Sequence, residues 1–169
     1  MVNIIVELSK YLMIVLITAY TYLCFSIFGY YDPDKKKSLL RKQNVLTFMI
    51  HIIAFLVLYL KTEEIKILAF YLMQVVLFGV VILLYTNIYP KVSRLVVNNM
   101  CMLLCIGMII LTRLNYEKAV KQYVIAAGAI VISLVVPVII RKFKKLSEWR
   151  NLYAIAGIAS LAFVVVAGQ

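Results

Sequence analysis

Six apolar runs, each long enough to cross a lipid bilayer as a helix, fill most of this sequence. They extend from about Leu8 to Phe28, Val45 to Leu60, Ile67 to Ile88, Leu95 to Leu114, Ala119 to Ile140 and Leu152 to Ala167. A spanning helix needs roughly 20 mostly apolar residues, because it rises about 1.5 Å per residue across a hydrocarbon layer about 30 Å thick. Backbone polar groups left unpaired in that layer are too costly, so only helices and closed barrels span it. The runs lack the two-residue alternation of barrel strands. The expected fold class is therefore all-α, a polytopic integral membrane protein with about six transmembrane helices.

Composition excludes the soluble alternative. Hydrophobic residues make up 65% of the 169, whereas soluble domains hold roughly 45–50%. A soluble domain of this length has too small an interior to hide the excess. The first run is expected to stay in the mature protein, since it is long, lacks a basic leader and is followed by no small-residue cleavage pattern.

The net charge of +11 invites a nucleic-acid reading, but the basic residues flank apolar spans instead of forming a patch. Their expected partners are anionic membrane lipids, not nucleic acid. Between the first two spans, Gly29 to Asn44 holds Asp32-Pro33-Asp34 and then Lys35, Lys36, Lys37, Arg41 and Lys42. It reads as a loop in which Asp-Pro opens a turn. Lys and Arg number twelve in the connections after spans one, three and five, and six on the opposite side. Basic loops stay in the cytoplasm, so both termini are expected outside.

The polar residues inside the spans are the candidates for chemistry or packing. His51 is the only histidine. It reads as a neutral imidazole bonded to a neighbouring helix, with function at membrane depth as the alternative. Asn98 and Asn99 read as interhelical hydrogen-bonding groups, with a substrate-facing role open. Cys101 and Cys105 stack on one helical face and read as small apolar packing. Pro137 removes a hydrogen bond to the Ser133 carbonyl. Ala129 with Ser133, and Ala156 with Ser160, each lie four apart beside Gly128 and Gly157. Such small faces are expected to let spans five and six approach closely. Arg113, Lys118 and Lys121 surround Glu117 and read as a solvated rim, or as a site for an anionic headgroup. The three cysteines, Cys24, Cys101 and Cys105, form no metal or disulfide pattern. No nucleotide loop, zinc motif, nucleophile elbow or carboxylate pair is present. No metal or other cofactor is expected, and no catalytic residue can be assigned.

The stretch from Val96 to Gln169 carries a more specific pattern. Leu103 to Leu111 reads LL-x-IG-x-x-x-L with Gly107, and a short connection closes on Ala119, Lys121 and Gln122. A helix bearing Gly128 follows, then a basic loop, then a run ending at Gly168. This order resembles the start of the core of the SEDS family, the FtsW/RodA/SpoVE proteins. The resemblance implies a three-helix N-terminal extension over residues 1–94 and a three-helix start of the core over 95–169. It implies a bacterial cytoplasmic membrane and a role in polymerising lipid II into peptidoglycan during division, elongation or sporulation, with a partner transpeptidase. Arg113, Lys121 and Gln122 would then lie at the outer end of the lipid-substrate cavity, where cations suit a pyrophosphate. The family's catalytic aspartate lies in a downstream outer loop with no counterpart here, so the chain is expected to be catalytically incomplete, as a fragment, a truncated gene product or a degenerate homologue. Two rivals stand beside this reading. One is a small non-enzymatic membrane scaffold or regulator. The other is a transporter or flippase-like protein, ranked last because only Pro137 interrupts a span.

Overall fold

The computed structural model describes residues 2–142 and 150–167, and the helices within them follow the apolar runs. They are α1 (Val2–Ser26, continued by a 3-10 turn at Ile27–Gly29), α2 (Pro33–Thr62), α3 (Ile65–Ile88), α4 (Arg94–Leu114), α5 (Tyr116–Lys142) and α6 (Arg150–Ala167). There is no strand among the described residues. The first five are long and apolar enough to cross a membrane. α6, with 18 residues, coincides with the sixth expected span. The chain is an all-α, multi-pass membrane protein.

The largest departure from expectation is at α2. Residues from Pro33 onward, including the whole basic run, are helical, so the loop expected over Gly29 to Asn44 shrinks to the few residues around Tyr31. The cause is local. The Asp32 carboxylate accepts a hydrogen bond from the Asp34 N–H at 2.9 Å, and Pro33 sits in the first turn, where its missing N–H costs nothing. Lysine and arginine are good helix formers, so the basic run continues the helix. Thirty residues rise about 45 Å, the thickness of a bilayer with its headgroup layers.

The turns from α2 to α3 and from α4 to α5 are also tight. α2 ends on Glu63, which takes the left-handed conformation (φ 56°) and donates its N–H to the Tyr59 carbonyl at 2.7 Å. Asn115 alone joins α4 to α5, and its side-chain oxygen accepts from the Lys118 N–H at 2.9 Å. The two turns lie at the same end of the bundle, because the Tyr116 hydroxyl donates to the Lys66 carbonyl at 3.5 Å and the Lys66 ammonium sits 5.2 Å from the Tyr116 ring centre. Helices α2 to α5 therefore alternate in direction.

Two compact units divide the chain, Met1–Ala127 and Gly128–Gln169. In the first, α2 is central and packs against α1, α3 and α4. The 94/95 boundary falls at the first residue of α4, inside this unit. One core cluster joins Phe55, Leu58, Ile67, Phe70 and Ala119. Another joins Leu16, Tyr20, Ile50 and Met102.

The second unit holds the rest of α5 and α6. Pro137 lies inside α5, which continues to Lys142. Among the described residues, a Cβ built on Gly128 or Gly157 would meet nothing within 4 Å, so neither glycine itself is a point of close approach. Small residues permit approach but do not drive it. The serine hydroxyls are used within their own helices, Ser133 donating to the Ile130 carbonyl and Ser160 to that of Ala156. Most of the basic connection Arg141 to Arg150, and Gly168, lie outside the described residues.

Candidate functional site

The interior of the first unit holds polar side chains beside its apolar core. Gln43, Thr47, His51, Gln74, Asn98 and Thr112 are buried, while Leu12, Ile14, Leu72, Val76, Leu103 and Ile110 are exposed. This distribution suits lipid as the solvent, since apolar side chains gain nothing by leaving it and polar ones gain partners inside.

Helix periodicity places these groups. On α2, Gln43, Thr47, His51, Ala54, Phe55 and Leu58 are buried, at the three- and four-residue spacing that forms one face. On α4 the buried stripe includes Asn98, Cys101, Cys105, Met108 and Thr112. Where the two faces meet, the Asn98 amide donates to the Leu40 carbonyl at 3.0 Å and to Gln43 Oε1 at 3.1 Å. Asn99 turns the other way, and its Oδ1 accepts from the Tyr20 hydroxyl at 2.8 Å and the Cys24 thiol at 3.2 Å. Gln43 Nε2 donates to Cys24 Sγ at 3.4 Å. The result is a polar seam joining α1, α2 and α4. Both asparagines are thus interhelical groups. Cys101 and Cys105 are fully buried free thiols.

Deeper along α2, His51 Nε2 lies 3.0 Å from Gln74 Oε1 of α3. Three rings enclose the imidazole, those of Phe55, Tyr71 and Phe78, with centres 4.8, 5.0 and 5.5 Å away. Among the described residues, His51 Nδ1 and Gln74 Nε2 have no hydrogen-bond partner. No trio of His, Cys, Asp or Glu among those residues is arranged to hold a metal ion.

A groove of about 780 Å³ runs along α4, lined by Leu103, Leu104, Gly107, Leu111 and other apolar residues, with Asn99 and Gln122 as its polar members. Asn99 therefore joins the seam to the groove. Of the three residues assigned to substrate from the resemblance, Gln122 lines the groove. Arg113 and Lys121 are exposed and do not line it. Glu117, expected among cations, is exposed. The ion pairs of the described residues are instead Lys10–Glu7 at 2.6 Å and Lys66–Glu64 at 2.9 Å. The sequence reading passed over Tyr20, Gln43 and Gln74. For Gln43 and Gln74 the available signal was a carboxamide within or beside an apolar span, the same signal that drew attention to Asn98 and Asn99.

Comparison with known proteins finds no matching family model, no matching curated protein and no matching solved structure.

Proposed function

We propose that this chain is the N-terminal, lipid-substrate-binding portion of a SEDS-like peptidoglycan glycosyltransferase, unable by itself to polymerise lipid II. One observation carries the reading. Leu103, Leu104, Gly107 and Leu111, which make up most of the LL-x-IG-x-x-x-L pattern, line a single groove with Gln122, the last residue of the pattern that follows it. An open apolar groove fits a polyprenyl chain, and the Gln122 amide offers a hydrogen bond to a polar headgroup. In this reading the basic N-terminal end of α2 faces the cytoplasm of a bacterium, both termini lie outside, and a transpeptidase is the partner.

Binding of fluorescent lipid II to the purified chain in nanodiscs tests the groove. Gly107→Leu should fill it without disturbing the helix, because a Cβ there meets nothing within 4 Å. It and Gln122→Leu should each weaken binding by about tenfold, the loss expected for one hydrogen bond to a charged group or one blocked apolar contact. Unchanged affinity in both variants would sink the assignment. A gel assay with labelled lipid II should show no glycan product, because no carboxylate among the described residues lines the groove for acid–base work on a sugar. Product that disappears in Glu117→Gln would instead make the α4–α5 turn an active site.

A second reading, a non-enzymatic membrane scaffold, is favoured by the exposed small residues Ala129, Ala156 and Ser160. Such a surface suits packing against a partner helix.

A further inference from the structure

A second groove, of about 500 Å³, lies between α1 and α2 and is lined by Leu23, Ser38, Arg41, Lys42, Val45 and Leu46. Five of these six are on α2 at positions i, i+3, i+4, i+7 and i+8, the spacing of one helical face. The face changes character along its length. Ser38, Arg41 and Lys42 come first, followed by Val45 and Leu46, with Leu23 of α1 opposite. The change is complete within eight residues, a rise of about 12 Å. That is the scale on which a bilayer passes from headgroups to acyl chains. The groove has no acidic lining residue, and Lys35, Lys36 and Lys37 precede it on the same helix. Ser38, Arg41, Lys42 and Val45 are exposed, and Leu46 is half-buried.

We propose that this groove is a binding site for one anionic phospholipid. Its phosphate is held by Arg41 and Lys42 with a hydrogen bond from Ser38, and one acyl chain lies along Leu23, Val45 and Leu46. Charge selects the ligand class, since a guanidinium beside an ammonium favours phosphate oxygens. The order of residue types along α2 fixes its orientation, with the headgroup toward the basic end. The groove shares no residue with the one along α4, so the proposal stands independently of the glycosyltransferase reading.

Native mass spectrometry of the detergent-purified full chain, titrated with phosphatidylglycerol or phosphatidylcholine, tests it. The parent should bind one phosphatidylglycerol in preference to phosphatidylcholine. Arg41→Gln/Lys42→Gln should weaken that binding by roughly ten- to thirtyfold, from the contribution of two cations near a lipid surface. Leu46→Trp, which blocks the apolar half and leaves the charge intact, should weaken it as well. Lys35→Gln/Lys36→Gln/Lys37→Gln removes more charge outside the groove and should change it by less than the double variant. Glycerol phosphate, which lacks acyl chains, should not compete. Equal binding of the two lipids by the parent would overturn the proposal. So would a triple variant that loses as much as the double, or competition by glycerol phosphate, each of which would reduce the effect to general surface charge. Melting temperatures matching the parent establish that the variants are folded. Should Leu46→Trp melt early, the charge variants and the competition still decide the question.

Discussion

His51 and Gln74 meet across two helices with one hydrogen bond between them and one polar atom on each left without a partner among the described residues. Removing either partner alone strands the other in an aromatic enclosure. Gln74→Leu should therefore destabilise the protein by about 1–2 kcal/mol, since a stranded buried group loses more than an average hydrogen bond returns. His51→Leu/Gln74→Leu should be much closer to the parent than the sum of the single variants, because it removes both polar groups together. Denaturant titration in detergent micelles measures all three. Additive single effects would mean that the two side chains are not coupled. The Tyr20–Asn99 bond makes a parallel case. Tyr20→Phe should cost less than Asn99→Leu, which removes the acceptor shared by the Tyr20 hydroxyl and the Cys24 thiol.

The helices are set by their ends as much as by their apolar runs. Glu63 holds a left-handed backbone conformation that costs a residue with a Cβ roughly 1 kcal/mol. Glu63→Gly should therefore raise stability by about 0.5–1 kcal/mol. Asn115→Ala should lower it by about 1 kcal/mol through loss of the cap on α5. Both shifts are readable as melting temperatures in detergent, and a stabilising Asn115→Ala would remove the capping account. The length of α2 makes a topological prediction. With the native cysteines replaced, single cysteines at Lys37 and Glu63 should label with an impermeant maleimide from opposite sides of the membrane. In the orientation proposed above, Glu63 is the residue labelled from outside. Labelling of both from one side would mean that α2 does not cross.

At the scale of the whole molecule, hydropathy along the chain defines the class of protein and the approximate position of the described helices other than the start of α2. Hydropathy acts on contiguous residues, and a bilayer imposes one length on any run that crosses it. The runs at Ile67 to Ile88 and Leu95 to Leu114 match α3 and α4 almost residue for residue. The start of α2 was not legible in the same way, because the polar signal of five basic residues concealed a helix set by Asp32 and Pro33. The partners inside the bundle were decided only by tertiary structure. Nothing in the local sequence tells Asn98 that it will meet Gln43, or Tyr20 that it will meet Asn99, 79 positions away. In water, the apolar stripe of a helix announces which face is buried. In lipid, the face that meets the solvent and the face that meets another helix are both apolar, so packing shape and a few interior hydrogen bonds make the choice. The grooves along α4 and between α1 and α2 have the same origin, as spaces that exist only once the helices are packed.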